Sequence, residues 1–409
     1  ELAITGKGIS IAIIDTGIDY THSDLGGCFG AGCKVKGGFD VANNDSDPMD
    51  DIGHGTHVAA ISAGNGALKG VAPDATLFAY KVFSANEPGN FDDIIAAIDL
   101  ALDPNQDSDF SDKADVINMS LGGGSGDPSS PLSSATDHAM RAGTIVVVAA
   151  GNSGPSFHTI LDPGSSREAI TVAATSKSDT FASFSSRGPI AYHGQAFMKP
   201  DISAPGAVIC AAQWDDWIPE AACLDGNHIA ISGTSMAAPH VAGAAALLKQ
   251  KNPTWTPQEI KYALMESANP VGANPLIYGS GRLDVLAATK IVRESLDLVT
   301  SIESLDNITG PYSIKGVINA DGFSNYLLEL AHVNPQNPDA LVWSELYRTQ
   351  ELPGDGYLVK NLATPPLYGR YLVRLTVNSS GRAPTIRYAA LFNLNGQNIR
   401  LRAGWPKSP

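Results

Sequence analysis

The sequence lacks any apolar run long enough to cross a bilayer. A spanning helix needs about 20 apolar residues, and the longest such stretch, Thr144 to Ala150, ends at Gly151. Positive charge is in the minority: Lys and Arg total 27 against 42 Asp and Glu, a formal net charge of −15. An acidic surface repels phosphate backbones and anionic headgroups, so neither nucleic acid nor membrane is expected as a partner. Cysteine is scarce, with only Cys28, Cys33, Cys210 and Cys223. These form two sequence-local pairs with no histidines at metal-ligand spacing. Two local disulfides, 28–33 and 210–223, are the simplest of the pairings four cysteines allow, and four buried free thiols are the alternative. Disulfides imply an oxidising, extracellular setting. Solenoid repeats and low-complexity tracts are absent. No leader pattern opens the chain, so a mature or trimmed amino end is expected.

What is present is apolar and segmented. At 409 residues and 43% hydrophobic content, the chain exceeds one compact core, and two domains are expected. From residue 8 to about 290, short apolar runs (GISIAIID, ATLFAYKV, ADVINMS, TIVVVAAG, AITVAA) alternate with helical patterns such as FDDIIAAIDLALD and MAAPHVAGAAALLKQ. Runs this apolar suit strands buried on both faces of a parallel sheet. Alternation with helices makes this an α/β domain, 1–294, with a mostly parallel central sheet flanked by helices. Ligands then bind beyond the carboxyl ends of the strands. After residue 295 the segments become short, β-rich and turn-punctuated, which suits a small C-terminal β-sandwich over 295–409.

Three segments place a reactive side chain at the end of an element. AIIDTGID puts Asp15 at the carboxyl end of the first strand, DDIGHGTHVA puts His54 at a helix start, and SGTSMAAPH puts Ser235 at the start of an alanine-rich helix. Singly these read as a strand-end cap, a core histidine and an N-cap. Together they are the parts of a nucleophilic triad: a serine to attack, a histidine to take its proton, an aspartate to hold the histidine. In that helix Pro239 is expected in the first turn, where its missing N–H matters little.

The motifs DTGID, HGTHVA and GTSMAAPHVAG, in this order, resemble those of the subtilisin-like serine proteases, over residues 1 to about 290. The resemblance implies a subtilisin-like fold and a secreted endopeptidase with a C-terminal β-module, whose own propeptide is removed during maturation, acting on protein or peptide substrates as a monomer. It assigns the base to His54, leaving His57 and His240 to packing. It assigns the oxyanion donor to Asn152 in VVVAAGNSG, with the Ser235 N–H as the second donor and Thr234 in support. It places Ser120, Leu121 and Gly122 on one wall of the pocket for the residue before the scissile bond, and Ala149, Ala150 and Gly151 on the other. Gly89 becomes a backbone contact, and Phe91 enters the pocket four residues upstream. Small walls without an acid at the base imply apolar or aromatic preference.

The stretch GGFDVANNDSDPMDDIGHGTH reads on composition as a solvated acidic loop. Clustered carboxylates between turn residues also suit calcium, and similarity to thermitase-related members implies a structural Ca²⁺ at Asp40, Asp45, Asp47 and Met49. Asp51, next to the histidine turn, is an alternative substrate-facing acid. The loop between Cys210 and Cys223 is expected to rim the leaving-peptide side of the cleft, or else to serve as a staple. Two rivals remain: a binding protein on an inactive protease scaffold, and an esterase. The first lacks support because no triad member is missing. The second needs a G-x-S-x-G elbow, and GTSMA lacks its second glycine.

Overall fold

Isoleucines on both faces of the first strand set the architecture. In the computed structural model, which describes residues 4–86, 89–193, 195–214, 221–319 and 321–394, the chain divides into two compact units. One comprises Glu1–Ile190 with Met198–Leu298, and the other Ala191–Phe197 with Val299–Pro409. The first contains β1 (Ser10–Asp15), β2 (Val35–Asp40), β3 (Thr76–Lys81), β4 (Val116–Met119), β5 (Ile145–Ala149) and β6 (Ile170–Thr175). A short hairpin of β7 (Ile190–Tyr192) and β8 (Gln195–Phe197) follows, then β9 (Ile202–Pro205), β10 (Ile209–Ala212) and β11 (His228–Ile231). The helices are α1 (His54–Ala63), α2 (Phe91–Leu102), α3 (Pro131–Arg141), α4 (Thr234–Lys251), α5 (Pro257–Glu266), α6 (Pro275–Tyr278) and α7 (Val285–Ala288).

Seven strands form the parallel sheet, in the order β2-β3-β1-β4-β5-β6-β9. Ile11 and Ile13 of β1 pack with Val58 of α1, Ala237 of α4 and Ile260 of α5. Ala12 and Ile14, on the opposite face, pack with Ile94 of α2 and Leu132 and Met140 of α3. Both faces are therefore covered, which is why the strands read as unbroken apolar runs. The chain leaves β1 toward β3 and β2 on one side and β4 onward on the other. That reversal is where an open α/β sheet makes its crevice. Asp15 ends β1 and Ser120 directly follows β4, so the two flank it. Two strands of this sheet escaped sequence reading: β2 carries Gly37 and Gly38, and β9 is only four residues long and ends in Pro205.

The second unit holds a three-stranded sheet, β12 (Ser301–Ile302), β14 (Tyr312–Val317) and β17 (Tyr357–Leu362), and a five-stranded one. The latter orders β13 (Leu305–Ile308), β19 (Thr385–Asn393), β18 (Gly369–Ser379), β15 (Phe323–His332) and β16 (Ser344–Thr349). Ile314 and Leu358 from the first sheet meet Tyr326, Leu328, Leu375 and Leu391 from the second in one core. The buried Tyr326 hydroxyl donates to the Leu358 carbonyl at 2.5 Å, tying the sheets. Residues 191–197, inside the expected catalytic region, fold with this unit.

Candidate active site

Asp15 is buried at the carboxyl end of β1. Its Oδ1 accepts from the Thr16 N–H at 2.8 Å and lies 2.6 Å from Nδ1 of His54. His54 is the first residue of α1 and half-buried. The first turn of α1 needs close backbone approach: a Cβ on Gly55 would stand 2.1 Å from the Gly17 carbonyl oxygen. Burial pushes the His54 imidazole down, but the charge and hydrogen bond of Asp15, helped by Asp50, outweigh it and raise the group above its ordinary value.

Asp50 is a residue whose role sequence reasoning missed. It is buried below the start of α1, where helix N–H groups lack intrahelical acceptors. Its carboxylate accepts from the N–H groups of Ile52, Gly53 and Thr56 and from the Thr56 hydroxyl, at 2.6 to 3.0 Å. Burial raises its pKa against the lowering effect of these bonds. Asp50 thus fixes the turn that presents His54. Its neighbour Asp51 is not a free substrate-facing acid: it pairs with the buried Lys81, which also donates to the Thr16 carbonyl at 2.9 Å.

Ser235 is the second residue of α4. Its hydroxyl donates to the Ser120 carbonyl at 3.0 Å. The Asn152 side-chain oxygen accepts from the Thr234 N–H at 2.9 Å and the Thr234 hydroxyl at 3.0 Å. Thr234 in turn accepts from the Gly151 N–H at 3.2 Å. These bonds fix which way the amide faces and leave its Nδ2 for another acceptor. A Cβ on Gly233 would lie 3.6 Å from both Asn152 Nδ2 and the Ser235 nitrogen. Gly233 is extended, with φ 168°, and its missing side chain leaves open the space that these two nitrogens face.

The expected pocket walls are also brought together. The segment after Ser120 pairs with a distant one: the Gly123 N–H donates to the Asp162 carbonyl at 2.9 Å, and the reverse bond is 2.8 Å. Leu121 is half-buried beside the exposed Gly122, while Ala149 and Ala150 are buried. Gly151 has φ 104°. The Phe91 ring lies against Gly123 and Gly124, at 3.4 Å from each added Cβ. Gly89 has φ 72°, and a Cβ there would meet Phe83 and the Val82 carbonyl. Leu161 was not foreseen. Its side chain sits 3.4 Å from a Cβ on Gly122 and 3.1 Å from one on Gly151, bridging the two walls.

The subtilase family matches residues 6–281, about two thirds of the chain. The chain belongs to this family. Serine protease AprX of Bacillus subtilis is 39% identical over 302 residues, covering 69% of this chain and 66% of its own. Subtilisin E of the same organism is 38% identical over 292 residues, covering 70% and 67%. The chain thus spans about two thirds of the length of these relatives. The solved structure of a cold-adapted subtilisin-like serine proteinase superposes with TM-score 0.54 and 32% identity, covering 69% of this chain and 89% of that one.

The remaining expectations fall out unevenly. Both disulfides form, Cys28–Cys33 and Cys210–Cys223. Within the second loop, residues 215–220 lie outside the described residues, and with them the expected rim of the cleft. His57 is buried and bonds through Nε2 to the carbonyls of Ile209 and Ile229, and burial pushes it down to about 4. His240 bonds the Met236 carbonyl. Pro239 is not in the first turn: it is the sixth residue of α4.

In the acidic loop the carboxylates bond to nearby amides and hydroxyls. Both Asp40 oxygens accept from Asn43. Asp45 accepts from the Asp47 N–H, and Asp47 from the Met49 N–H and the Tyr20 hydroxyl. Among the described residues no group of three or more His, Cys, Asp or Glu is placed to hold a metal ion. A calcium shell wants six to eight oxygens, and Asp40, Asp45, Asp47 and Met49 are held here by bonds to one another and to their neighbours. Likewise, no helix among the described residues is long and apolar enough to cross a membrane.

Proposed function

We propose that the chain is an extracellular serine endopeptidase acting through Asp15, His54 and Ser235. The observation that carries this is the 2.6 Å contact of His54 Nδ1 with Asp15, because it commits one ring nitrogen as donor and leaves Nε2 as the base. Attack begins when the Ser235 hydroxyl leaves the Ser120 carbonyl and passes its proton to His54 Nε2. Oγ then bonds the substrate carbonyl carbon. The oxyanion is received by Asn152 Nδ2 and the Ser235 N–H, at the positive end of an 18-residue helix. His54 returns the proton to the leaving amine, and water repeats the sequence to free the acyl-enzyme. Release of its own propeptide and a monomeric state belong to the same reading, supported by family membership. The two disulfides support the extracellular setting.

Leu161 narrows the expected specificity. A branched side chain between Gly122 and Gly151 takes up room that an aromatic ring would use. The preference before the scissile bond is therefore aliphatic and of modest size. Peptide-library cleavage tests this: Leu- or Ala-sized residues should lead, and Leu161→Gly should admit Phe and Tyr. Equal aromatic preference in both proteins would overturn the assignment, and no cleavage at all would overturn the function.

A further inference from the structure

Helix α4 has an internal gap that another element closes. Pro239 has no N–H, so the carbonyl four residues earlier, that of Ser235, has no helical donor. The Ser120 hydroxyl takes its place, donating to the Ser235 carbonyl at 2.8 Å. Ser120 is 3% exposed, so water does not compete freely for this bond. Its Oγ also accepts from Asn118 Nδ2 at 3.0 Å, and Asn118 is fully buried on β4. A serine hydroxyl has one proton. Accepting from Asn118 therefore commits that proton to Ser235. The amide keeps this orientation although Asn118 Oδ1 is buried with no partner among the described residues.

The same two serines are linked a second time, since the Ser235 hydroxyl donates to the Ser120 carbonyl. Strand β4 neighbours β1, which ends in Asp15. The main chain of Ser235 is thus fastened to the sheet that carries the acid. Holding the carbonyl restrains the helical main chain that carries the N–H and Cβ, and the bond from Oγ to the Ser120 carbonyl sets the side-chain rotamer.

We propose that Ser120 is a positioning residue: its hydroxyl replaces the hydrogen bond that Pro239 removes and sets the place of the Ser235 nucleophile and its oxyanion N–H. This is separate from any wall Ser120 offers to substrate, and it rests on Ser235 being the nucleophile. Three substitutions at one site separate donor from shape. Ser120→Ala removes the donor, Ser120→Cys keeps the shape with a weak donor, and Ser120→Thr keeps the hydroxyl.

The experiment measures kcat and KM with a peptide ester and a peptide amide, and the acylation burst with the ester, where deacylation is the slow step. Ser120→Ala should lower kcat and the burst rate about tenfold, the equivalent of one hydrogen bond of ordinary net worth, with KM within about twofold. Ser120→Cys should stay impaired and Ser120→Thr should recover most of the rate. Wild-type kcat in Ser120→Ala, a loss carried by KM, or Cys outperforming Thr would overturn the proposal. If Ser120→Ala fails to fold, the Cys-against-Thr comparison decides alone. A wild-type protein that turns over the ester without forming an acyl-enzyme at Ser235 would instead sink the serine-protease reading.

Discussion

The loop from Asp40 to Asp51 and the mount around Ser235 are both crowded with polar side chains, yet they differ in whether the atoms left open converge. Asn152 Nδ2 and the Ser235 nitrogen face one space, whereas no three acidic side chains of the loop are gathered on one point. In the stretch from Asp40 to Asp47, carboxylate oxygens accept from amides and hydroxyls close by, such as Asn43 on Asp40 and Asp47 on Asp45. These bonds shape a turn and stop there. Around Ser235, each group is fixed through one atom and presents another. His54 is held at Nδ1, and Asn152 is held at Oδ1. Fixation by one atom with the other left open is what preorganised catalysis requires. The comparison also crosses the loop itself, because Asp50 and Asp51 serve the mount, bonding the start of α1 and Lys81.

Four substitutions break or sharpen this contrast. Asp15→Asn has the largest expected effect, a loss of about four orders of magnitude in kcat, because the wrong His54 tautomer is held. It should also move the pH profile. His54 is raised above its ordinary value, so the inactive protonated form persists to higher pH. The acid limb of kcat/KM should lie above the ordinary histidine range and move down when Asp15 loses its charge. Asn152→Ala comes next, with about two to three orders lost in kcat and little change in KM, read by steady-state kinetics.

Much of this mount was legible in the sequence, for a physical reason. Asp15, His54 and Ser235 each end an element whose apolar pattern is strong, so their placement follows from strand and helix boundaries. The Ser120–Ser235 pair, Asp50 beneath α1 and Leu161 across the pocket were not legible. Each depends on which distant segments the sheet order brings together, such as β4 against α4, or on a turn whose hydrogen bonds no local spacing announces. Pro239 was misplaced for a related reason. The small residues before it look like a slow helix start, whereas α4 is already helical from Thr234. In the acidic loop, family resemblance pointed to a cation, while turn chemistry pairs the carboxylates with nearby donors. The second unit was read from short, β-rich, turn-punctuated segments, but nothing in residues 191–197 reveals that they fold with it.

The smaller effects compare the two halves of the loop directly. Asp50→Ala should destabilise the protein by about 2 kcal/mol, as loss of a helix cap and buried acceptor does. Differential scanning calorimetry should show the lower Tm, and kcat should fall with it as the His54 turn loosens. Asp45→Asn should change stability by no more than about 0.5 kcal/mol and leave turnover intact. Chelator should shift Tm by less than about one degree, since a cation held by this loop would stabilise the folded state by mass action. A drop of several degrees would show that the carboxylates regroup around an ion, and the contrast would fail.

Active-site titration with a fluorophosphonate probe, followed by peptide mapping, tests the central claim most directly. One equivalent should attach to Ser235, and labelling should be lost in His54→Ala while the fold remains intact. Peptide turnover with the label on another residue, or no labelling of a protein that cleaves peptides, would contradict the account of α4 as the mount of an activated serine.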